Sequence, residues 1–381
     1  MTPLTSLRTV LDYVKSKFIG KEEIIELLGI CLIAQENALL YGPPGTAKSA
    51  IVRMLASTIH DGHNFEYLLT RFTEPNEIFG PFDIPSLKNG VLKTNTEGML
   101  PEASLVFLDE IFNANSAILN SLLMALNERM FKRGNETKKL PALLFVGASN
   151  NLPEDEALNA LFDRFLVRIH CDYVAPDLLS SVLAAGRQLA KEADTIPPTI
   201  ATSEIQDLQL SCRNVDLSAI LPTYVQLVFS LRNAGINISD RRAVKLQQLI
   251  AASALMSHRN HAIISDLWVL KHIWDAQDQI ELLSGMIQTV IGKEATPEAH
   301  PMAFEHAHLD VESLMKDLQE LRQLITESGN DFEAKNIMKD KLRYLQSRIA
   351  WINNDIQKAH LETTIQTLWQ TLLQEQTSTS S

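Results

Sequence analysis

Over its first 172 positions the chain alternates short apolar runs with stretches whose apolar residues recur every three or four positions. Beyond that point mainly the helical spacing persists. The runs Ala38–Tyr41, Phe65–Leu69, Leu105–Leu108, Ala142–Ala148 and Phe165–Ile169 read as strands. Strands alternating with helices predict an α/β layer structure with one parallel sheet, which five such runs can form. Pro81, Pro85, Gly90, Gly98 and Pro101 punctuate the segment from Gly80 to Pro101, which reads as an insertion with a hairpin-like element. After Asp172, helical patterns run over roughly 175–190, 203–210, 216–234, 240–257 and 262–290. The expected organisation is therefore an α/β core over 1–172 and a second, all-α domain over 173–291.

The stretch 292–310 is polar, carries His300, His306 and His308, and reads as a solvated linker rather than a metal site. Beyond it Val311, Leu314, Leu318, Leu321 and Ile325 step by three and four, as do Met338, Leu342, Leu345, Ile349, Ile352 and Ile356. Leu361, Ile365, Leu368 and Leu372 repeat the pattern. This spacing predicts a helical hairpin or small bundle over 311–376, turning at Ser328-Gly329-Asn330, with a disordered tail at 377–381. Such an arm could dock a partner or simply stabilise the molecule.

Composition narrows the class. At 381 residues, 45% hydrophobic and 21% charged, the chain has material for two or three globular domains. A net charge of −12 argues against a protein built to hold nucleic acid by its phosphates. Cys31, Cys171 and Cys212 are odd in number and widely spaced, so buried free thiols are expected. No signal-peptide pattern is visible, and the apolar run Ile24–Ala34 is interrupted by Glu26 and too short to span a bilayer. The expected setting is the cytoplasm, without membrane insertion.

The chemistry begins at Gly42-Pro43-Pro44-Gly45-Thr46-Ala47-Lys48-Ser49, between a strand and an apolar helix. A tight loop feeding a helix N-terminus aims backbone N–H groups and the positive dipole end at an anion. Lys48 would reach the β- and γ-phosphates of a nucleotide, and Ser49 would ligate Mg²⁺. Ala47 stands where the generic pattern has Gly, a difference of one methyl.

About sixty residues on, Leu105-Val106-Phe107-Leu108 runs into Asp109-Glu110. Both carboxylates then lie at the C-terminal edge of the sheet, where open α/β sheets bind ligands. Asp109 would hold Mg²⁺ and Glu110 would polarise an attacking water. Asn150, directly after the next strand, is better placed than Asn151 to touch the water or the γ-phosphate. Asp163-Arg164-Phe165 and Ser239-Asp240-Arg241-Arg242 supply further charged candidates.

Taken in order, these motifs resemble those of the AAA+ ATPases, and more narrowly the MoxR family with its RavA-like members, over roughly residues 5 to 290. The resemblance implies an ATP-hydrolysing P-loop core and a helical lid, with ATP and Mg²⁺ bound. It implies that Ile19 and Gly20 lie near the adenine, that Asn150 is sensor 1 and that Arg241 is sensor 2. Arg164 matches the arginine finger offered to a neighbour's γ-phosphate, which implies a homo-oligomeric ring, expected as a hexamer. Gly80–Pro101 resembles the insertion in the second helix of this clade. Met130–Leu140, with Lys132, Arg133, Lys138 and Lys139, resembles the hairpin before sensor 1. Family members are regarded as chaperone-like remodellers of protein complexes, often with a partner carrying a von Willebrand factor A domain. RavA-like proteins add a small β-rich domain beyond the lid; here only about ninety helical-reading residues follow the linker. The leading expectation is a ring ATPase acting on a protein client. A nucleic-acid loader or helicase, or a nucleotide-gated scaffold, are the other readings.

Overall fold

The computed structural model describes residues 2–88, 92–133, 136–153, 155–191, 196–292, 298–304, 315, 318–319, 321–322, 342 and 361–369. The chain divides into two compact units, Met1–Ala303 and Phe304–Ser381. In the first, nine strands are described: β1 (Ala38–Tyr41), β2 (Ile59–His60), β3 (Asn64–Leu68), β4 (Leu105–Asp109), β5 (Met130–Arg133), β6 (Glu136–Lys139), β7 (Leu144–Ser149), β8 (Val167–His170) and β9 (Ile200–Ala201). The five strands expected from the apolar runs form one parallel sheet in the order β3-β4-β7-β1-β8. In β1 and β7 only Tyr41 is not fully buried, which is why these strands read as unbroken apolar runs.

The last sheet strand starts two residues later than the expected Phe165. That residue belongs to a turn, its N–H donating to the Phe162 carbonyl at 3.1 Å, while its ring packs on the bare face of Gly147. A Cβ there would sit 2.8 Å from Phe165 Cζ. The insertion contains an antiparallel bridge between Phe82 and Thr94 and a short helix, Ile84–Lys88. It packs on the β5–β6 hairpin: Arg133 donates to the Gly80 carbonyl at 2.7 Å and lies 4.0 Å over the Phe82 ring. Lys138 pairs with Glu102 at 3.2 Å. Two of the four basic hairpin residues are thus held by internal partners.

Three expectations change in the helical part. The two-residue strand β9 pairs parallel with β2, so strand structure does not end at residue 172. The run expected as one helix over 262–290 is a tight helix, Ile264–His272, and an α-helix, Gln279–Ile291. The intervening residues leave the helix to lay Trp274 and Asp275 against the α/β core, where Arg168 donates to the Trp274 carbonyl at 2.6 Å. His300 is fully buried rather than solvated. Its ring stacks on Trp268 at 5.0 Å and its Nε2 lies 3.3 Å from Glu26 Oε1. His306 and His308 lie outside the described residues, as do the turn at 328–330, most of the predicted arm helices and the tail. In the second unit residues 361–369 are helical, and Leu361, Ile365 and Leu368 are buried. Cys31, Cys171 and Cys212 are buried free thiols. No described helix is long and apolar enough to cross a membrane.

Glu26, on the helix Glu22–Ala34, is buried and faces Arg8 at 2.8 Å, Lys15 at 2.5 Å and His300. Burial alone would raise its carboxyl; the adjacent His300, Arg8 and Lys15 outweigh that and hold it at about 2. A carboxyl depressed in the folded state stabilises the fold above its unfolded pKa and loses that contribution as pH falls through the folded value. Denaturant titrations should therefore show a Glu26-dependent loss of about 3 kcal/mol between pH 4.5 and 2. Glu26→Gln should be less stable at neutral pH and lack this part of the acid limb.

Candidate functional site

The phosphate cradle is built where β1 is clamped between its two neighbours. Gly42 N–H donates to the Ser149 carbonyl at 3.2 Å, and Cys171 N–H donates to the Tyr41 carbonyl at 2.7 Å. A Cβ on Gly42 would lie 1.9 Å from the Cys171 carbonyl oxygen, so only glycine passes there. Gly45 (φ +81°) and Ala47 (φ +66°) are left-handed. Glycine adopts that conformation freely, and alanine carries it as strain. The helix Lys48–Ser57 starts at once, and its first N–H groups have no intrahelical acceptor, which suits them to an anion in the loop. Thr46 closes the turn by donating to the Pro43 carbonyl at 3.0 Å.

Five side chains meet at the cradle. Lys48 Nζ lies 2.6 Å from the Gly42 carbonyl, 2.9 Å from that of Pro43 and 2.9 Å from Asn150 Oδ1. Asn150 Nδ2 donates to Glu110 Oε1 at 2.5 Å, so one amide links the cation of β1's loop to the carboxylate at the end of β4. Ser49 Oγ donates to Asp109 Oδ2 at 3.0 Å. A hydroxyl and a carboxylate oxygen so placed are the hard donors Mg²⁺ takes beside a nucleotide, so the residues fit that ion. Asn151 has no such place; its N–H and carbonyl close onto the Ser149 hydroxyl.

The site's electrostatics follow from partial burial. Burial lowers the Lys48 pKa, against the pull of Asp109 and Glu110. Burial also raises the Glu110 carboxyl, the Asp109 charge adding to it, against Lys48 and Asn150. A carboxyl raised in this way is a stronger base than a free glutamate once ionised.

Ile19 and Gly20 precede the helix at Glu22. Gly20 (φ +73°) packs against Val174 and Leu178, each 3.2 Å from where its Cβ would be, and Lys21 Nζ donates to the Asp172 carbonyl. Tyr173 donates through its hydroxyl to the Pro44 carbonyl at 3.2 Å. This segment therefore adjoins the 172–178 stretch that reaches over the cradle.

Arg164 and Arg241 lie elsewhere. Asn37 Nδ2, just before β1, donates to the Arg164 carbonyl at 2.8 Å. The five steps from Asn37 to Gly42 span about 16 Å at the rise of an extended strand. Arg164 thus stands at the N-terminal edge of the sheet, where its guanidinium lies 3.7 Å from Asp163 and its Nε is buried with no hydrogen-bond partner among the described residues. Arg241 opens the helix Asp240–Met256. One turn on, Lys245 pairs with Glu36 at 2.7 Å, and the Arg241 charge acts on the same carboxyl. Both arginines therefore share the edge opposite the cradle.

Spacing gave no sign of Tyr173, Lys21 or the Cys171 carbonyl. In the Arg241-Arg242 pair the second arginine is the buried one, bonded to Asp275 at 2.9 Å.

A family model for the MoxR domain of MoxR–vWA–beta-propeller ternary systems matches residues 5–210, and one for an AAA lid domain matches residues 220–287. An uncharacterised protein of Methanocaldococcus jannaschii is 34% identical over 92% of this chain and 90% of its own. Chaperone MoxR1 of Mycobacterium tuberculosis is 26% identical over 69% of this chain and 72% of its own. A crystal structure of a protein assigned as an ATPase, from Cytophaga hutchinsonii, has the same fold: TM-score 0.59, 20% identity, covering 77% of this chain and 95% of that one.

The cradle's backbone generates a paired prediction. Ala47→Gly relieves the left-handed strain and should raise unfolding stability by about 1 kcal/mol in urea titrations. Gly42→Ala should lower it by about 2 kcal/mol or more, because the new methyl meets a backbone carbonyl. Equal midpoints for the three proteins would contradict this geometry.

Proposed function

Since the chain belongs to the MoxR family of AAA+ ATPases, we propose that it hydrolyses ATP in a homo-oligomeric ring, a hexamer, and uses the cycle to remodel protein complexes. The observation that carries this reading is the separation within one subunit. Lys48, Ser49, Asp109, Glu110 and Asn150 gather at one sheet edge, and Arg164 and Arg241 stand at the other. Arginines so placed serve hydrolysis only from the next subunit, which implies heterologous contacts that close a ring.

In this mechanism the loop Gly42–Ser49 and the helix N-terminus hold the phosphates, with Lys48 reaching the β and γ groups. Mg²⁺, held by Ser49 and Asp109, would neutralise charge on the phosphate oxygens. Glu110 accepts the proton of the attacking water, and Asn150, already bonded to Glu110, orients that water. Arg164 of one subunit stabilises the charge that develops on the γ-phosphate in its neighbour. Ile19 and Gly20 lie against the adenine.

Two descriptions support a protein client: the matching MoxR model is described for systems containing vWA components, and one relative is described as a chaperone. A partner with a von Willebrand factor A domain follows from the first. Net charge of −12 and the engagement of Arg133 and Lys138 within the fold weigh against nucleic acid. The buried free thiols suit the cytoplasm.

Glu110→Gln should keep ATP binding and lower turnover by roughly two to three orders of magnitude. Turnover at the wild-type rate would remove Glu110 from the role of base. Because the base works ionised and burial raises its pKa, the wild-type rate should fall on acidification at a pH above the ordinary glutamate value. An acid limb at or below that value contradicts the assignment. Proteins retained by Glu110→Gln in ATP and released in ADP, after nuclease treatment, identify the client. ATPase stimulation by DNA that fades with salt would instead favour a nucleic-acid substrate.

A further inference from the structure

Behind the cradle lies a set of aromatic contacts that the mechanism above does not use. Tyr41, the last residue of β1 before Gly42, meets Trp274 with ring centroids 5.8 Å apart and the planes at 65°. Its hydroxyl accepts from Gln277 Nε2 at 2.8 Å. Trp274, almost fully buried, meets Phe162 at 6.5 Å. Phe162 meets Phe112 at 5.9 Å, and Phe112 follows Glu110 by two residues. Both halves of the nucleotide site therefore converge on Phe162, one through Tyr41 and Trp274, the other through Phe112.

Phe162 is also the end of the helix Glu156–Phe162, and the turn that follows it carries Arg164. That turn is tied to the helix: Asp163 N–H donates to the Asn159 carbonyl at 3.0 Å and Arg164 N–H to that of Leu161 at 3.0 Å. A shift of Phe162 must move Arg164. Ionic bonds brace the same place. Arg168 of β8 lies 4.0 Å over the Phe162 ring, donates to the Trp274 carbonyl and pairs with Asp275, which also binds Arg242 of the lid helix at 2.9 Å. Trp274, Phe162, Arg168 and Arg242 are buried, with Tyr41, Phe112 and Asp275 half-buried at the ends of the set, and packed contacts transmit displacement.

We propose that Trp274 and Phe162 are positioning residues that carry nucleotide occupancy of a subunit's own cradle to the placement of its Arg164 on the neighbour's phosphates. This rests on the ring reading above. Filling the cradle bears on the end of β1 and the loop after Glu110, and through Tyr41 and Phe112 it sets the angle of the helix that ends at Phe162. An occupied subunit then presents Arg164 correctly, and an empty one presents it poorly, so neighbouring sites fire in an ordered way.

The test uses mixed rings of full-length subunits. The acceptor is Arg164→Ala, which has an intact cradle and no finger; the donor is Glu110→Gln, which binds ATP, does not turn it over and keeps Arg164. Recovery of hydrolysis in the mixture measures the finger in trans; no recovery in rings of confirmed mass overturns the ring reading and this proposal with it. Given recovery, adding Trp274→Leu to the donor should cut it about tenfold in kcat, with the acceptor's KM and the donor's ATP affinity unchanged. Trp274→Phe, which keeps an aromatic contact, should restore it. A Lys48→Ala donor, empty but bearing Arg164, should recover less than the ATP-filled donor. If Trp274→Leu does not fold, Phe162→Leu in the same donor carries the test. Equal recovery from the Leu donor and its parent, or from empty and filled donors, overturns the proposal while leaving the ring reading standing.

Discussion

A short parallel strand cannot bring its two ends together, and β1 is the strand on which this fold turns. Asn37 at its start holds the turn that carries Arg164, and Gly42 at its end opens the phosphate cradle. The two points stay about 16 Å apart, because extended backbone bonded on both sides neither folds nor shortens. β7 and β8 flank it along its length, and the Cys171 carbonyl fits against Gly42 so closely that no side chain is tolerated. The cradle and Arg164 therefore belong to opposite edges of one subunit's sheet, and in the proposed ring this separation is what would make assembly part of the chemistry.

Within the cradle, polar groups are arranged so that each is committed before a nucleotide arrives. Asn150 bridges Lys48 and Glu110, and Ser49 is paired with Asp109. Burial pushes the lysine down and the glutamate up. Incoming phosphates would take over Lys48 and free the amide to hold a water. The lid adds the other half of the argument. Its residues 273–277 rest on β1 and β8 through Trp274, Asp275 and Gln277, so a change at the cradle has a contact route to the lid through the buried Trp274.

Much of this was legible in the sequence because it is local. The buried strands are continuous apolar runs, and the loop, the acids at the end of β4 and Asn150 after β7 lie where a run ends. What was not legible depends on partners far along the chain. Nothing near Trp274 says that the helical pattern of 262–290 breaks so that Arg168, a hundred residues earlier, can find Asp275. His300 looked like part of a solvated linker because its stretch is polar, yet Trp268 and Glu26 bury it. β9 has two residues, too few to leave a period. That Arg241 lies near Glu36, on the sheet edge where Asn37 holds Arg164, required knowing how the lid helix lies on the core; the motif alone gave only its presence.

In the proposed function a catalytic unit is completed by two subunits. The most direct measurement is specific ATPase activity over a dilution series, with the oligomer mass determined on the same samples. A site completed from the neighbouring subunit should hold activity per subunit constant while rings persist and lose it, by roughly a thousandfold or more, as they dissociate. Activity per subunit that is unchanged where the chain is monomeric would contradict it.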